Sequence, residues 1–373
     1  MFYIVADSYS PNSAGTNRIL AYAKALSKYG IDTKIVFLQP DSQFSKYRNN
    51  LPHIEFIYYW DRLYINFPRL NKLSLRYYMR KFFKILQAGD KVYVYGCPDL
   101  VVLLSKRDDI YVYVERTEHN SAFFNGVAWK VTIPDFLKAC RKINGVFVIS
   151  QGLRESYIED GCQPERVHIV NMIVDNERFL EVNKTSHERK IVYCGTASNT
   201  KDGVDQLIKA FSIVAQRYPD YKLYIVGNTP KKNQKFENLS LVKELGIEKN
   251  VVFTGVVPAS EMPQILTNAA ILALDRPNNL QAKYGFPTKL GEYLLTANPV
   301  VITSVGDIPL FLKDGESALI AEPDNPQCFA DKLCWVIEHP IESIIIGEHG
   351  KKVALDNFDF LKETKKIIEL LNL

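Results

Sequence analysis

The chain has 373 residues, 47% of them hydrophobic and 24% charged, with a formal net charge of +4. That composition excludes a disordered chain, and the length suggests two domains rather than one core. The mild basic excess suits an anionic ligand or an anionic membrane surface, and the absence of a long Lys/Arg run or known recognition module speaks against nucleic acid. Six scattered cysteines, Cys97, Cys140, Cys162, Cys194, Cys328 and Cys334, lack Cys-x-x-Cys spacing, so reduced thiols of a cytoplasmic protein are expected rather than a disulfide frame or a zinc site. No apolar run reaches about 18 residues and no basic-then-apolar leader precedes the first strand, so neither a membrane span nor a signal peptide is expected.

Met1 to Ala6 reads as a buried strand, followed by a Ser-, Pro-, Asn- and Gly-rich loop to Thr16, a helix from Ile19 to Tyr29 stopped by Gly30, and a strand from Thr33 to Leu38. This is a parallel βαβ opening that places Gly15 at the carboxyl end of a sheet, where such folds bind ligands. From Asn66 to Leu86, Arg69, Lys72, Arg76, Arg80, Lys81 and Lys84 alternate with Phe67, Leu70, Leu73, Tyr77, Phe82 and Phe83. Helical spacing splits them into a wet basic face and an apolar face, which fits either a domain-packing helix or an interfacial patch for a membrane. Strands are expected at Lys91 to Tyr95, Tyr111 to Glu115 and Gly145 to Ser150, with His119 just past the end of the second. The polar stretch Glu181 to Glu188 reads as a linker.

The βα rhythm restarts at Ile191 to Gly195, continues through Lys201-Asp202-Gly203 into a helix from Val204 to Tyr218, and adds strands at Leu223 to Gly227, Val251 to Gly255 and Ile271 to Leu274. Next comes Tyr-Gly-Phe-Pro-Thr-Lys-Leu-Gly-Glu-Tyr-Leu-Leu-Thr-Ala-Asn-Pro-Val-Val-Ile-Thr, Tyr284 to Thr303. Gly285 and Pro287 mark a loop, Thr288 or the residues just before it can cap a helix, and Asn298-Pro299 ends that helix before an apolar strand. The free N–H groups and positive dipole of the helix start favour an anion such as a phosphate. Glu292 lies on the same face about 6 Å further along, suited to accept hydrogen bonds from ribose hydroxyls. A strand at Ala318 to Ala321 and helices from Gln327 to Glu338 and from about Phe360 to Leu371 complete the chain.

The run from Gly285 to Val301 resembles the donor-site signature of GT-B retaining glycosyltransferases of the family-4 type, roughly Gly-Phe-Pro-x-Lys-Leu-x-Glu-Tyr followed by Pro-Val-Val. The resemblance implies an α/β GT-B fold of two Rossmann-like, doubly wound parallel-sheet domains facing across a cleft: residues 1–182 on the acceptor side and 183–355 binding the nucleotide sugar, with residues 356–373 packing back on the first domain. It implies transfer of a sugar from a nucleotide diphosphate sugar to a saccharide or lipid-linked acceptor, with retention, no cofactor and no metal. It assigns catalytic roles to His119 and Lys201, and donor binding to Gly15, Gly195, Thr196, Gly255, Gly285, Phe286, Pro287, Thr288, Lys289, Leu290 and Glu292. Peripheral contact with the inner, anionic face of a membrane is compatible with this reading.

Two departures stand out. An Arg that often follows the first Gly of the second domain is Thr196 here, leaving Lys201 as the cation, and the donor-sugar Glu eight positions before Glu292 is Tyr284, so that Tyr284, Lys283 or Asp275 would have to replace it. A sugar-nucleotide 2-epimerase on the same fold and a non-catalytic partner subunit are the alternatives. The first would act on donor without acceptor, and the second would show no donor turnover.

Overall fold

The computed structural model describes the chain apart from residues 12, 41–45, 48, 60–67, 125–129, 186–187 and 229–231; of residues 40, 68–73, 123 and 232–234 it describes the backbone alone. It comprises two units, Met1–Ile173 with Phe360–Leu373, and Val174–Asp359.

In the first unit seven parallel strands, β1 (Phe2–Tyr9), β2 (Thr33–Pro40), β3 (Ile54–Tyr58), β4 (Lys91–Tyr95), β5 (Tyr111–Arg116), β6 (Gly145–Val148) and β7 (Val167–Ile169), lie in the order β3-β2-β1-β4-β5-β6-β7. The strand order reverses between β1 and β4, and the carboxyl ends of strands at such a reversal are where doubly wound sheets bind ligands. The helix expected from Ile19 begins earlier, at Ala14, because Ser13 caps it through Thr16 N–H. Gly15 therefore sits in the first helical turn and not in a loop. It is needed there for close approach, since an added Cβ would come within 2.9 Å of Tyr95 Cε1 at the end of β4.

A charged pair lies inside this unit. Arg18 donates to Glu115 at 2.5 Å and to the carbonyls of Asn171 and Val170, while the Tyr22 and Tyr93 hydroxyls donate to the same carboxylate at 3.0 Å. Two buried charges are tolerable because each has its hydrogen bonds. The Phe360–Leu371 helix adds Ile367 and Leu371 to the core of Phe2, Ile4 and Leu26, and its Glu363 accepts the Asn171 N–H at 2.8 Å.

Of the basic aromatic segment, residues 66 and 67 and the side chains of 68–73 lie outside the described residues. The Pro68–Ile85 helix buries Leu75, Met79 and Phe82 and exposes Tyr77, Arg80, Lys81 and Lys84. Its apolar positions recur every three or four residues, which is why one face packs and the other is wet.

The second unit holds six parallel strands, β8 (Lys190–Cys194), β9 (Lys222–Val226), β10 (Val251–Gly255), β11 (Ile271–Leu274), β12 (Val300–Thr303) and β13 (Leu319–Ala321), in the order β10-β9-β8-β11-β12-β13. β8, β11 and β12 are short apolar runs buried on both faces, as parallel strands covered by helices must be. The order reverses between β8 and β11, so the favoured ligand position lies beyond Cys194 and Leu274. The first strand of this unit is preceded by a 3₁₀ turn, Asn176–Phe179, tied to the unit by Val174 N–H to Phe358 O at 2.9 Å and by Asn176 to Asp359 at 2.8 Å. The Pro340–Asn357 helix was not anticipated from the sequence.

Candidate functional site

At the switch point of the second sheet, Gly195 leaves β8 with φ +144°, and the Lys289 side chain lies against it: an added Cβ would sit 2.8 Å from Lys289 Cε. Only a glycine leaves that ammonium its place. Lys289 forms an ion pair with buried Asp202 and lies 3.2 Å from the Tyr193 hydroxyl. The Tyr193 oxygen is in turn 2.7 Å from both Asp202 Oδ2 and Thr196 O. Arg276, just past β11, brings its Nε to 3.9 Å from the other Asp202 oxygen. Burial alone would raise the Asp202 carboxyl, but Lys289, Tyr193 and Arg276 together hold it below the usual carboxylate range. Burial lowers the Lys289 ammonium below its ordinary value although Asp202 pulls the other way, and Lys201 adds to the lowering. Two cations thus share one carboxylate, and a third, Lys201, is close enough to be felt. The cluster carries net positive charge at the carboxyl edge of the sheet, where an anion lowers its energy.

The adjoining loop is built by packing. Gly285 closes the Leu280–Tyr284 helix through its N–H to Gln281 O at 3.0 Å, and the Phe286 ring is buried between Phe311 and Phe358 at 5.5 and 5.4 Å. Of the cap positions expected, Thr288 or the residues just before it, the structure uses the residue just before. The helix is Thr288–Leu295, its cap position is Pro287, and no side chain makes a capping bond there. Proline fits because its fixed φ already points the chain into the helix and it has no N–H to satisfy. The Leu290 side chain is fully buried and its N–H bonds Pro287 O at 3.0 Å. The backbone N–H groups of Thr288 and Lys289 open the helix without intrahelical acceptors.

Glu292 is on this helix, partly exposed, and its Oε1 forms an ion pair with Arg178 of the 3₁₀ turn. Arg178 also donates to Ala259 O at 3.2 Å, in the loop leaving β10. Gly255, with φ +71°, ends β10 and accepts the Gly227 N–H at 2.9 Å. Of the groups considered as substitutes for the absent Glu, Asp275 is 2% exposed, and burial together with Asp205 and Asp324 raises its carboxyl to about 7. Lys283 lies 5.2 Å from the centroid of the Tyr284 ring.

His119 and Gly15 belong to the first unit. His119 follows β5 and precedes the Asn120–Phe124 helix, where its Nδ1 is 2.7 Å from Ser121 Oγ and accepts the Ser121 N–H at 3.3 Å. That bond assigns the proton of the neutral ring to Nε2. Burial, with Arg116 assisting and Asp160 opposing, keeps the ring below the usual histidine pKa.

Among the described residues no group of three His, Cys, Asp or Glu side chains could hold a metal ion, and no helix is long and apolar enough to cross a membrane. Sequence reasoning singled out Lys201 and Glu292 but missed Asp202, Tyr193, Arg276 and Arg178, whose partners lie far away along the chain.

Comparison with known proteins bears on the second unit first. Residues 188–339 match the family described as Glycosyl transferases group 1. The match lies wholly inside the unit that holds the cluster. The D-inositol 3-phosphate glycosyltransferase of Corynebacterium glutamicum is 26% identical over 218 residues, which are 55% of this chain and 50% of that one. The chain spans about half the length of the curated relatives it matches first. Among solved structures, Anabaena HepE in complex with UDP-glucose superposes with a TM-score of 0.75 at 17% identity, covering 100% of this chain and 99% of that one. The sucrose-phosphate synthase of Thermosynechococcus elongatus gives 0.78 at 14%, covering 100% and 98%. With its two parallel α/β sheets, the chain has the GT-B fold, as the sequence resemblance implied.

Proposed function

We propose that the protein is a retaining glycosyltransferase of the family-4 type, moving a sugar from a nucleoside diphosphate sugar to a saccharide or lipid-linked saccharide. The observation that carries this reading is the positive cluster of Lys289, Arg276 and Asp202 at the start of the Thr288–Leu295 helix, with Glu292 one turn further on, inside the stretch that matches the group 1 family. The chemical task is to stabilise a diphosphate as it leaves. Lys289 and Lys201 supply charge, and the helix start supplies oriented N–H groups already in place before reaction. Glu292 accepts from the ribose hydroxyls, and His119 orients the sugar through its Nε2–H. The complex of Anabaena HepE with UDP-glucose supports a nucleotide-sugar donor by analogy of fold.

A thermal-shift screen of nucleotide sugars tests the reading: a true donor at 100 times its dissociation constant stabilises the protein by about 2.7 kcal/mol. Product analysis with donor alone then separates transfer from epimerisation. Glu292→Gln keeps the shape but loses charge-assisted hydrogen bonds, so calorimetry should find nucleoside diphosphate binding weaker by about 1.5–3 kcal/mol. Unchanged binding would remove Glu292 from the site.

The acceptor side extends the proposal to a membrane surface. The exposed Arg80, Lys81 and Lys84 beside Tyr77 on the Pro68–Ile85 helix should bring the protein down with anionic vesicles at low salt and release it at high salt. Absence of sedimentation at every salt concentration would leave this helix a packing element only.

A further inference from the structure

Arg178 does more than close a surface ion pair, and we propose that it is a positioning residue of the nucleoside subsite, setting the Glu292 carboxylate against the loop that leaves β10. The proposal rests on the nucleotide-binding reading above. Arg178 reaches the site from outside the βα units, on the Asn176–Phe179 turn, which Val174 and Asn176 already fasten to Phe358 and Asp359. Its guanidinium is therefore not required to hold the turn in place. The two terminal nitrogens go to different partners, Nη1 to Glu292 Oε1 and Nη2 to Ala259 O at 3.2 Å. A planar fork divided in this way fixes the angle between a carboxylate on one element and a carbonyl on another, which a lysine, a single point of charge, cannot do.

Arg178 engages only one oxygen of Glu292. Among the described residues Glu292 Oε2 accepts no hydrogen bond, and the side chain is 22% exposed. One oxygen is thus held and the other presented, the arrangement needed to receive vicinal hydroxyls in a fixed direction. An exposed ion pair with no such task contributes little to stability, typically below about 1 kcal/mol. The bond to Ala259 makes a second link that an isolated ion pair would not need.

Calorimetry with UDP and GDP tests this on the parent, R178A, R178K, E292Q and the R178A/E292Q double variant. For whichever nucleotide the parent binds, R178A should weaken affinity about tenfold or more, R178K should restore it only in part, and the double variant should bind no more weakly than E292Q alone. A merely structural arginine would instead add its own loss to that of E292Q, and this additive result would overturn the proposal. Parental affinity in R178A, with E292Q impaired, would overturn it while leaving the nucleotide site standing. If the parent binds neither nucleotide, the reading of the site falls and this proposal with it.

Discussion

His119→Ala is expected to fold and to bind nucleoside diphosphate nearly as tightly as the parent, yet to transfer sugar slower by about a hundredfold or more. The expectation comes from how the ring is held. Ser121 N–H donates to Nδ1 and burial disfavours the charged ring, which puts the proton of the neutral ring on Nε2. A donor aimed at charge or hydroxyls of a reacting sugar acts on turnover, whereas the cations and the carboxylate proposed to hold the nucleotide all belong to the second unit. Losing one such oriented group typically costs about 3–4 kcal/mol of transition-state stabilisation. Single-turnover rates with saturating donor provide the measurement. A parental rate would make His119 a structural residue at a strand end, and failure to fold would make its role one of packing.

Lys289→Met should have the largest effect on stability. It leaves the buried Asp202 carboxylate with only the Tyr193 hydroxyl and the more distant Arg276, and breaking a buried pair by removing one partner costs about 3–5 kcal/mol. Urea unfolding of the variant measures this, and Asp202→Asn/Lys289→Met should recover much of the loss, because the neutral amide needs no counter-charge. The pH dependence follows from the depressed carboxyl of Asp202. A group whose pKa is lower folded than unfolded contributes stability that is fully present above the unfolded value and is lost as pH falls through the folded one. The parent should therefore lose this contribution only in acid, below the ordinary carboxylate range of about 4, and Lys289→Met should weaken that acid dependence. Additive single and double variants would mean that the pair is not coupled. Nucleoside diphosphate affinity should fall in Lys289→Met as well, since the ammonium is proposed to face the diphosphate.

Much of the architecture was legible because it is local. β8, β11 and β12 are runs of consecutive apolar residues, and the Thr288–Leu295 helix was expected from the Gly and Pro of its loop. The Pro340–Asn357 helix escaped notice because its apolar residues do not keep to one face: Ile341, Ile344 and Ile345 are exposed while Ile346 and Ala354 are buried. β3 is only five residues long and nowhere fully buried, which leaves little pattern to read. The site divides in the same way. Gly195, Thr288 and Glu292 carry signals within a few positions of themselves, whereas the partner of Lys289 lies 87 residues away and that of Glu292 114 residues away. No periodicity encodes such a pairing, because it is made by the crossing of sheet and helix, not by the step along either. Phe286, read as a donor contact, has its ring in an aromatic cluster whose other members are Phe311 and Phe358.

The return of Phe360–Leu371 to the first unit has a bearing on biosynthesis. Those residues leave the ribosome only after all of Val174–Asp359 has been made. Until then the places of Ile367 and Leu371 beside Phe2 and Leu26 are empty, and the Asn171 N–H has no Glu363 to accept it. The first unit is therefore begun before the second and completed after it. Until those residues emerge, the nascent first unit waits with apolar surface uncovered, the state in which growing chains are most prone to associate wrongly.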